Sequence, residues 1–234
     1  MKLVRQHQSS TTISGILANI KATGATAPEP PRGKAFIVLD VSNSMNGNNK
    51  LKTAKAGASG FASQALDKSY RVGLIAFAQE AKLICNLSGN LGYLVAEINK
   101  LKTNSWTNLA DAIELATREL GETGPRSMVL ITDGQPLLAM TQRSIDEQTL
   151  RAKAAGTAAK NLGIDILTIG THDADTKLLA FLASRSDLAS ITSDGGLGGA
   201  IVDAARLLPD VSSACPSSPY LVGSPQLPAT QRSK

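Results

Sequence analysis

Residues 36–45, FIVLDVSNSM, begin as a short apolar run and end in polar side chains at alternate positions. The run from Ala35 to Leu39 is apolar throughout, which is typical of a parallel strand covered on both faces. Asp40, Ser42 and Ser44 follow it, and this oxygen set suits Mg²⁺, Mn²⁺ or Ca²⁺ better than zinc. Open α/β sheets bind ligands at this end of a strand. Because the same residue types are common in turns and helix caps, the triplet alone leaves both interpretations open.

Two distant segments also carry polar residues of the kinds that bind such an ion. Residues 127–134, SMVLITDG, are a second apolar run that ends in an acid, Asp133, and a glycine. Residues 106–113, WTNLADAI, place the hydroxyl of Thr107 before an amphipathic helix. Taken in chain order, residues 36–45, 106–113 and 127–134 resemble the von Willebrand factor A domain (vWA domain) and its metal-ion-dependent adhesion site (MIDAS). The resemblance covers residues 34–208 and neither end of the chain.

The resemblance implies a set of metal ligands. Ser42, Ser44 and Thr107 would supply hydroxyl oxygens to Mg²⁺, or to Mn²⁺ or Ca²⁺ in its place. Asp40 and Asp133 would hold the ion directly or through water. Because three of these ligands are neutral, the ion would remain electrophilic and keep waters that a ligand can replace. The resemblance therefore implies a partner protein that offers an acidic residue to the metal.

Two positions next to these ligands depart from the family pattern. Trp106 precedes the threonine where relatives often have glycine, and Asn43 stands where many also have glycine. Trp106 is the only tryptophan of the chain, and it is either a partner contact or a side chain packed on the adjoining helix. Trp106, Asn43 and Gln135, which lies just past the second acid, are the predicted partner-binding residues.

Strand and helix patterns alternate along residues 34–208. This alternation predicts a doubly wound α/β fold, with a mainly parallel sheet and helices on both faces. One short strand at 80–87 follows its neighbour closely and is predicted to be an antiparallel edge strand. Residues 1–33 are predicted to be an extension with a short helix and a Pro-rich linker, and residues 209–234 a Ser- and Pro-rich disordered tail.

Composition and charge indicate which classes of partner the protein binds and in which compartment it is located. The net charge is +5, but no nucleic-acid motif accompanies the lysines, and Lys50, Lys52 and Lys55 are interpreted as a solvated helix face. The two cysteines lack zinc-ligand spacing. No stretch has the length of a bilayer span, and no apolar segment follows the basic residues at the start. We therefore expect a cytoplasmic protein that binds neither membranes nor nucleic acid.

Enzymatic interpretations have little support in the sequence. The chain has two histidines, His7 and His172, and no G-x-S-x-G elbow or P-loop. We therefore predict a non-enzymatic binding module, and the resemblance to intracellular bacterial vWA domains suggests AAA-type ATPases or kinase–phosphatase modules as partners. An assembly protein that binds through its two ends is the main alternative, and a metal-dependent hydrolase is a more distant one.

Overall fold

A computed structural model of the 234-residue chain describes residues 32–134 and 141–211. Six strands form one sheet: β1 Gly33–Asp40, β2 Tyr70–Phe77, β3 Ala81–Ser88, β4 Arg126–Thr132, β5 Asp165–Thr171 and β6 Ala189–Thr192. Six α-helices accompany it: α1 Lys50–Asp67, α2 Leu91–Lys100, α3 Leu109–Leu120, α4 Gln142–Asn161, α5 Thr176–Leu182 and α6 Leu197–Ala204. Short 3-10 helices span Asn43–Asn49, Ser186–Leu188 and Ala205–Leu207.

The strand order is β3-β2-β1-β4-β5-β6, and all neighbours are parallel except β2 and β3. This confirms the predicted doubly wound α/β class, including the antiparallel strand at one edge. The order reverses its direction at β1, because the chain proceeds from β1 outward to β3 and then returns to β4 on the other side. The carboxyl ends of β1 and β4 therefore lie side by side at a topological switch point, where folds of this type bind ligands.

The sheet separates two apolar clusters, one on each face. Alternate residues of β1 divide between them: Ile37 and Leu39 face the cluster that contains α1 and α6, and Phe36 and Val38 face the cluster with α3 and α4. All four side chains are buried, which explains why the run from Ala35 to Leu39 is apolar at every position.

The last helix and strand β2 each have a local feature. Helix α6 ends at Ala204 and gives way to a 3-10 turn. Gly73 of β2 accommodates the ring of Phe36 on the neighbouring strand. Most of the predicted extension and tail lies outside the described residues. Within the described ranges, no helix is both long and apolar enough to cross a bilayer.

Helices α1 and α6 approach each other at glycine. A methyl group added at Gly57 would lie 2.7 Å from the carbonyl oxygen of Gly198, so neither backbone could keep its place. We expect Gly57→Ala to destabilise the fold by roughly 1–3 kcal/mol, because overpacking outweighs the usual helical advantage of alanine. Gly199→Ala is the matched control, since nothing lies within 4 Å of its added methyl. Urea unfolding of both variants tests this, and equal stabilities would contradict the close approach.

Candidate metal centre

The predicted ligands come from three segments that the sheet brings together. Asp40 is the last residue of β1, and Asp133 directly follows β4, its parallel neighbour. The loop before α3 is fastened to the same edge, because the amide of Asn104 donates to the carbonyl of Val41 at 2.7 Å. Asn104 also forms an isolated parallel bridge with Ser42. The fold therefore brings all three segments together at the carboxyl ends of β1 and β4.

Hydrogen bonds join four of the five predicted ligands. Ser44 Oγ donates to Asp133 Oδ1 at 2.7 Å, and the hydroxyls of Ser42 and Ser44 are 2.8 Å apart. Asp40 Oδ1 accepts from the amide of Ser42 at 2.7 Å. Residues 40 and 133, which are distant in sequence, thus meet in one polar network.

The fifth ligand, Thr107, flanks the same space. A methyl group added at Gly134 would lie 3.4 Å from Ser44 Oγ and 3.9 Å from Thr107 Oγ1. The two hydroxyls therefore border the volume that a side chain at position 134 would occupy. Thr107 and Asp133 are buried, whereas Ser44 is exposed, so the site is open to solvent on the Ser44 side.

This donor set fits a hard divalent cation. A serine hydroxyl can donate its proton to a carboxylate and still offer lone pairs to a metal, so the Ser44–Asp133 bond is compatible with an ion. The described residues contain no group of three or more His, Cys, Asp and Glu side chains arranged as a metal site. The arrangement found here is of another kind, with two carboxylates and three hydroxyls. Ser42, Ser44, Thr107, Asp40 and Asp133 are the residues that would hold the ion.

Asp40 has an unusual environment for a carboxyl group. It is fully buried, and burial raises its pKa from 3.8 to about 6, against the opposing effect of hydrogen bonds from Thr132 and Ser42. Thr132 Oγ1 donates to Asp40 Oδ2 at 2.5 Å and was not recognised in the sequence. Thr132 is the last residue of β4, one position before Asp133, and β4 lies beside β1. This position at a strand end next to a predicted ligand is the feature by which the sequence could have identified Thr132 as part of the site.

Lys50 is the main correction to the sequence interpretation. It was assigned to a solvated helix face, but it is 5% exposed and its ammonium lies 2.9 Å from Asp133 Oδ2. The ammonium also lies 2.7 Å from Asp173 Oδ2 and 3.9 Å from Asp194 Oδ1. Burial alone would lower the pKa of Lys50, but the hydrogen bonds to Asp133 and Asp173 outweigh it, and the net shift is upward. The same ammonium lowers the pKa of Asp173.

Asp173 and Asp175 both precede α5 but have different roles. Asp175 caps the helix, because its Oδ1 accepts from the amide of Leu178. Asp173 pairs with Lys50 instead. It follows β5 by two residues, as Asp194 follows β6, so both acids reach the edge that holds Asp40 and Asp133.

The predicted partner-binding residues lie beside this site or outside the described ranges. Asn43 is exposed between Ser42 and Ser44. Trp106 is half-buried, belongs to neither apolar cluster of the described residues, and has a φ of 67°, a left-handed conformation that costs a non-glycine residue energy. Gln135 lies outside the described residues. The role of Trp106 as a partner contact stays a prediction.

The comparisons with known proteins agree with this architecture. Residues 35–135 match the family model described as the von Willebrand factor type A domain. The vWF domain of the type V pili tip protein Mfa5 from Porphyromonas gingivalis is similar at a TM-score of 0.67 and 15% identity, over 76% of this chain and 95% of that one. A search of curated protein sequences finds no match.

Two further solved structures are longer than the region they share with this chain. Proximal thread matrix protein 1 from the mussel byssus, in a form with a zinc-occupied MIDAS motif, has a TM-score of 0.63 at 19% identity, over 76% of this chain and 46% of its own. The pilus adhesin SpaC from Lactobacillus rhamnosus GG has a TM-score of 0.65 at 14% identity, over 78% of this chain and 31% of its own. At these identities, the likeness establishes a vWA-type fold.

Proposed function

We propose that this protein is a non-enzymatic vWA module that binds an acidic residue of a partner protein through a divalent ion at a MIDAS. Asp40, Ser42, Ser44, Thr107 and Asp133 would hold the ion. The observation that carries this proposal is the hydrogen-bonded network from Asp40 through both serines to Asp133. Four of the five predicted ligands belong to that network, which lies at the switch point of the sheet and thereby supports the proposal.

The ligand types favour a bridging role for the ion. Hydroxyls donate no formal charge, so an ion held largely by them keeps its attraction for a further carboxylate. Mg²⁺ is our preferred ion, because it accepts oxygen ligands and retains exchangeable waters, with Mn²⁺ or Ca²⁺ as substitutes. The zinc-occupied motif of the mussel byssus protein supports metal binding by this type of site. Metal and partner are then expected to bind cooperatively.

The surroundings of the site favour binding over catalysis. The hydroxyls of Ser42 and Ser44 bond to each other and to Asp133, and among the described residues no histidine pairs with either of them to form a serine–histidine couple. Asn43, exposed, and Trp106, half-buried in a strained backbone conformation, are proposed as the partner contacts, together with Gln135. SpaC is described as a pilus adhesin, which also supports a binding role for this fold.

We place the module in the bacterial cytoplasm as a subunit of a larger complex, with an AAA-type ATPase or a kinase–phosphatase module as partner. The support is the sequence composition and the resemblance to intracellular vWA domains. Cys85 is buried and forms no disulfide within the described residues, which is consistent with a reducing compartment. The vWA domain would extend over residues 34–208, with an extension before it and a tail after it.

Capture of partners in the presence and absence of metal tests the proposal. We expect tagged protein to retain its specific partners from source lysate in Mg²⁺, to lose them in EDTA, and to regain them when Mg²⁺ is restored. Mass spectrometry of the three eluates identifies the partners. Proteins retained equally in all three conditions would contradict the bridging role and move the function to another surface or to the ends of the chain.

A further inference from the structure

Lys50 places a positive charge inside the proposed metal centre. It is the first residue of α1, and Asn48 and Asn49 before it have left-handed φ angles of 50° and 58°. Asn48 Nδ2 donates to Asp194 Oδ2 at 2.8 Å, which fastens the turn to the loop after β6. This local geometry turns the Lys50 side chain inward, to 2.9 Å from Asp133 Oδ2.

Both oxygens of Asp133 are therefore engaged. Oδ1 accepts from Ser44, which can bind an ion at the same time, but Oδ2 faces an ammonium group, which cannot. A divalent ion that approaches Asp133 meets a fixed positive charge within a few ångströms. Asp173 and Asp194 hold the ammonium from other loops, and can retain it if it leaves Asp133.

We infer that Lys50 is a tethered cation that competes with the divalent ion for Asp133 and thereby keeps the intrinsic metal affinity of the site low. This inference rests on the proposed function, because it concerns the same site. Its consequence is that the ion binds firmly only when a partner supplies its own carboxylate. Lys50 is thus a positioning residue that makes metal binding depend on the partner.

Replacement of Lys50 by methionine separates this role from general charge effects. The matched control is Lys52→Met, which removes the same charge from an exposed lysine on the same helix. We expect Lys50→Met to bind Mn²⁺ roughly tenfold more tightly than the wild type in calorimetric titration, because the repulsion between the two cations is lost. Lys52→Met should stay within about twofold. The rise in Tm on addition of Mn²⁺ should follow the same order.

Asp173→Asn provides a second test in which the substituted side chain is exposed and Lys50 itself is kept. The Asp173 side chain is 69% exposed, so this variant is expected to fold. Loss of the Asp173 carboxylate leaves the Lys50 ammonium held more exclusively by Asp133. We expect Mn²⁺ affinity to fall at least threefold. Asp187→Asn is the matched control, because it removes the same charge from a side chain that is 58% exposed and lies just before β6, at the amino ends of the parallel strands. This control should change the affinity for Mn²⁺ less than twofold.

The outcomes distinguish this inference from the proposed function. If the wild type binds Mn²⁺ through Asp40, but Lys50→Met binds no more tightly than Lys52→Met, the role of Lys50 is overturned and the MIDAS stands. If Lys50→Met binds Mn²⁺ and the wild type does not, the role of Lys50 is supported, and partner capture in Mg²⁺ and in EDTA decides the proposed function. If neither protein binds the ion, the role of Lys50 is overturned, and partner capture that is the same in Mg²⁺ and in EDTA overturns the proposed function as well. If Lys50→Met does not fold, Asp173→Asn decides: an affinity equal to that of Asp187→Asn overturns the inference.

Discussion

Asp40→Ala is expected to abolish divalent-ion binding and metal-dependent partner capture, with affinity for Mn²⁺ reduced more than 100-fold. Asp40 is one of only two carboxylates in the network, and its loss removes half of the negative charge that attracts the ion. We expect the variant to remain folded, because a fully buried carboxylate is itself costly to keep charged. Calorimetry with Mn²⁺ and the capture experiment in Mg²⁺ measure the two losses, and circular dichroism checks the fold.

Substitution of Thr107, in the loop before α3, tests the same site independently of Asp40. Thr107→Ala removes a hydroxyl that borders the space beside Gly134, and should likewise abolish partner capture. Thr107→Ser is the matched control, since it keeps the hydroxyl and loses one methyl, and it should retain capture. Normal binding by both Asp40→Ala and Thr107→Ala would show that the site is not the interface.

The sequence predicted the parts of this site that follow from strand ends. Asp40 and Asp133 each end an apolar run, and parallel strands bring such ends to one edge, so their meeting could be anticipated without a structure. Thr107 was recognisable only through the family resemblance, because a hydroxyl before a helix is also an ordinary cap residue. The register that brings it close is set by the bond between Asn104 and Val41, which no local pattern reveals.

Lys50 could not be placed from sequence, for a physical reason. A lysine at the start of an amphipathic helix is normally solvated, and periodicity does not indicate the direction of the first side chain. That direction depends on the left-handed angles of Asn48 and Asn49 and on carboxylates from three loops. Asp173 and Asp194 each follow a parallel strand, so the sequence could have placed them near Asp40 and Asp133 at the carboxyl ends of the strands. Such a group of acids is stabilised by a cation, and this was the feature of the sequence that could have pointed to Lys50.

The second large effect concerns pH and the stability of the metal-free protein. The folded-state pKa of Asp40 is about 6, above its ordinary value of 3.8, because burial disfavours the charged form. Between these values the folded state binds more protons than the unfolded state, so the contribution of Asp40 to stability falls as pH rises from about 4 to about 6, and is constant above that. A shift of about two pKa units corresponds to roughly 3 kcal/mol.

Asp40→Asn isolates this contribution, because asparagine keeps the shape of the side chain and does not titrate. In EDTA, the free energy of unfolding of the variant minus that of the wild type should increase by roughly 2–3 kcal/mol between pH 4 and pH 7. Urea titrations at half-unit pH steps measure this difference, and Asp187→Asn, at an exposed ion pair, is the control that should not show the increase. A difference that is flat, or that grows toward acid pH, would mean that the folded protein does not disfavour the carboxylate. Mg²⁺ should reduce this difference at pH 7, since it stabilises the wild type and has no such effect on a variant that cannot hold the ion.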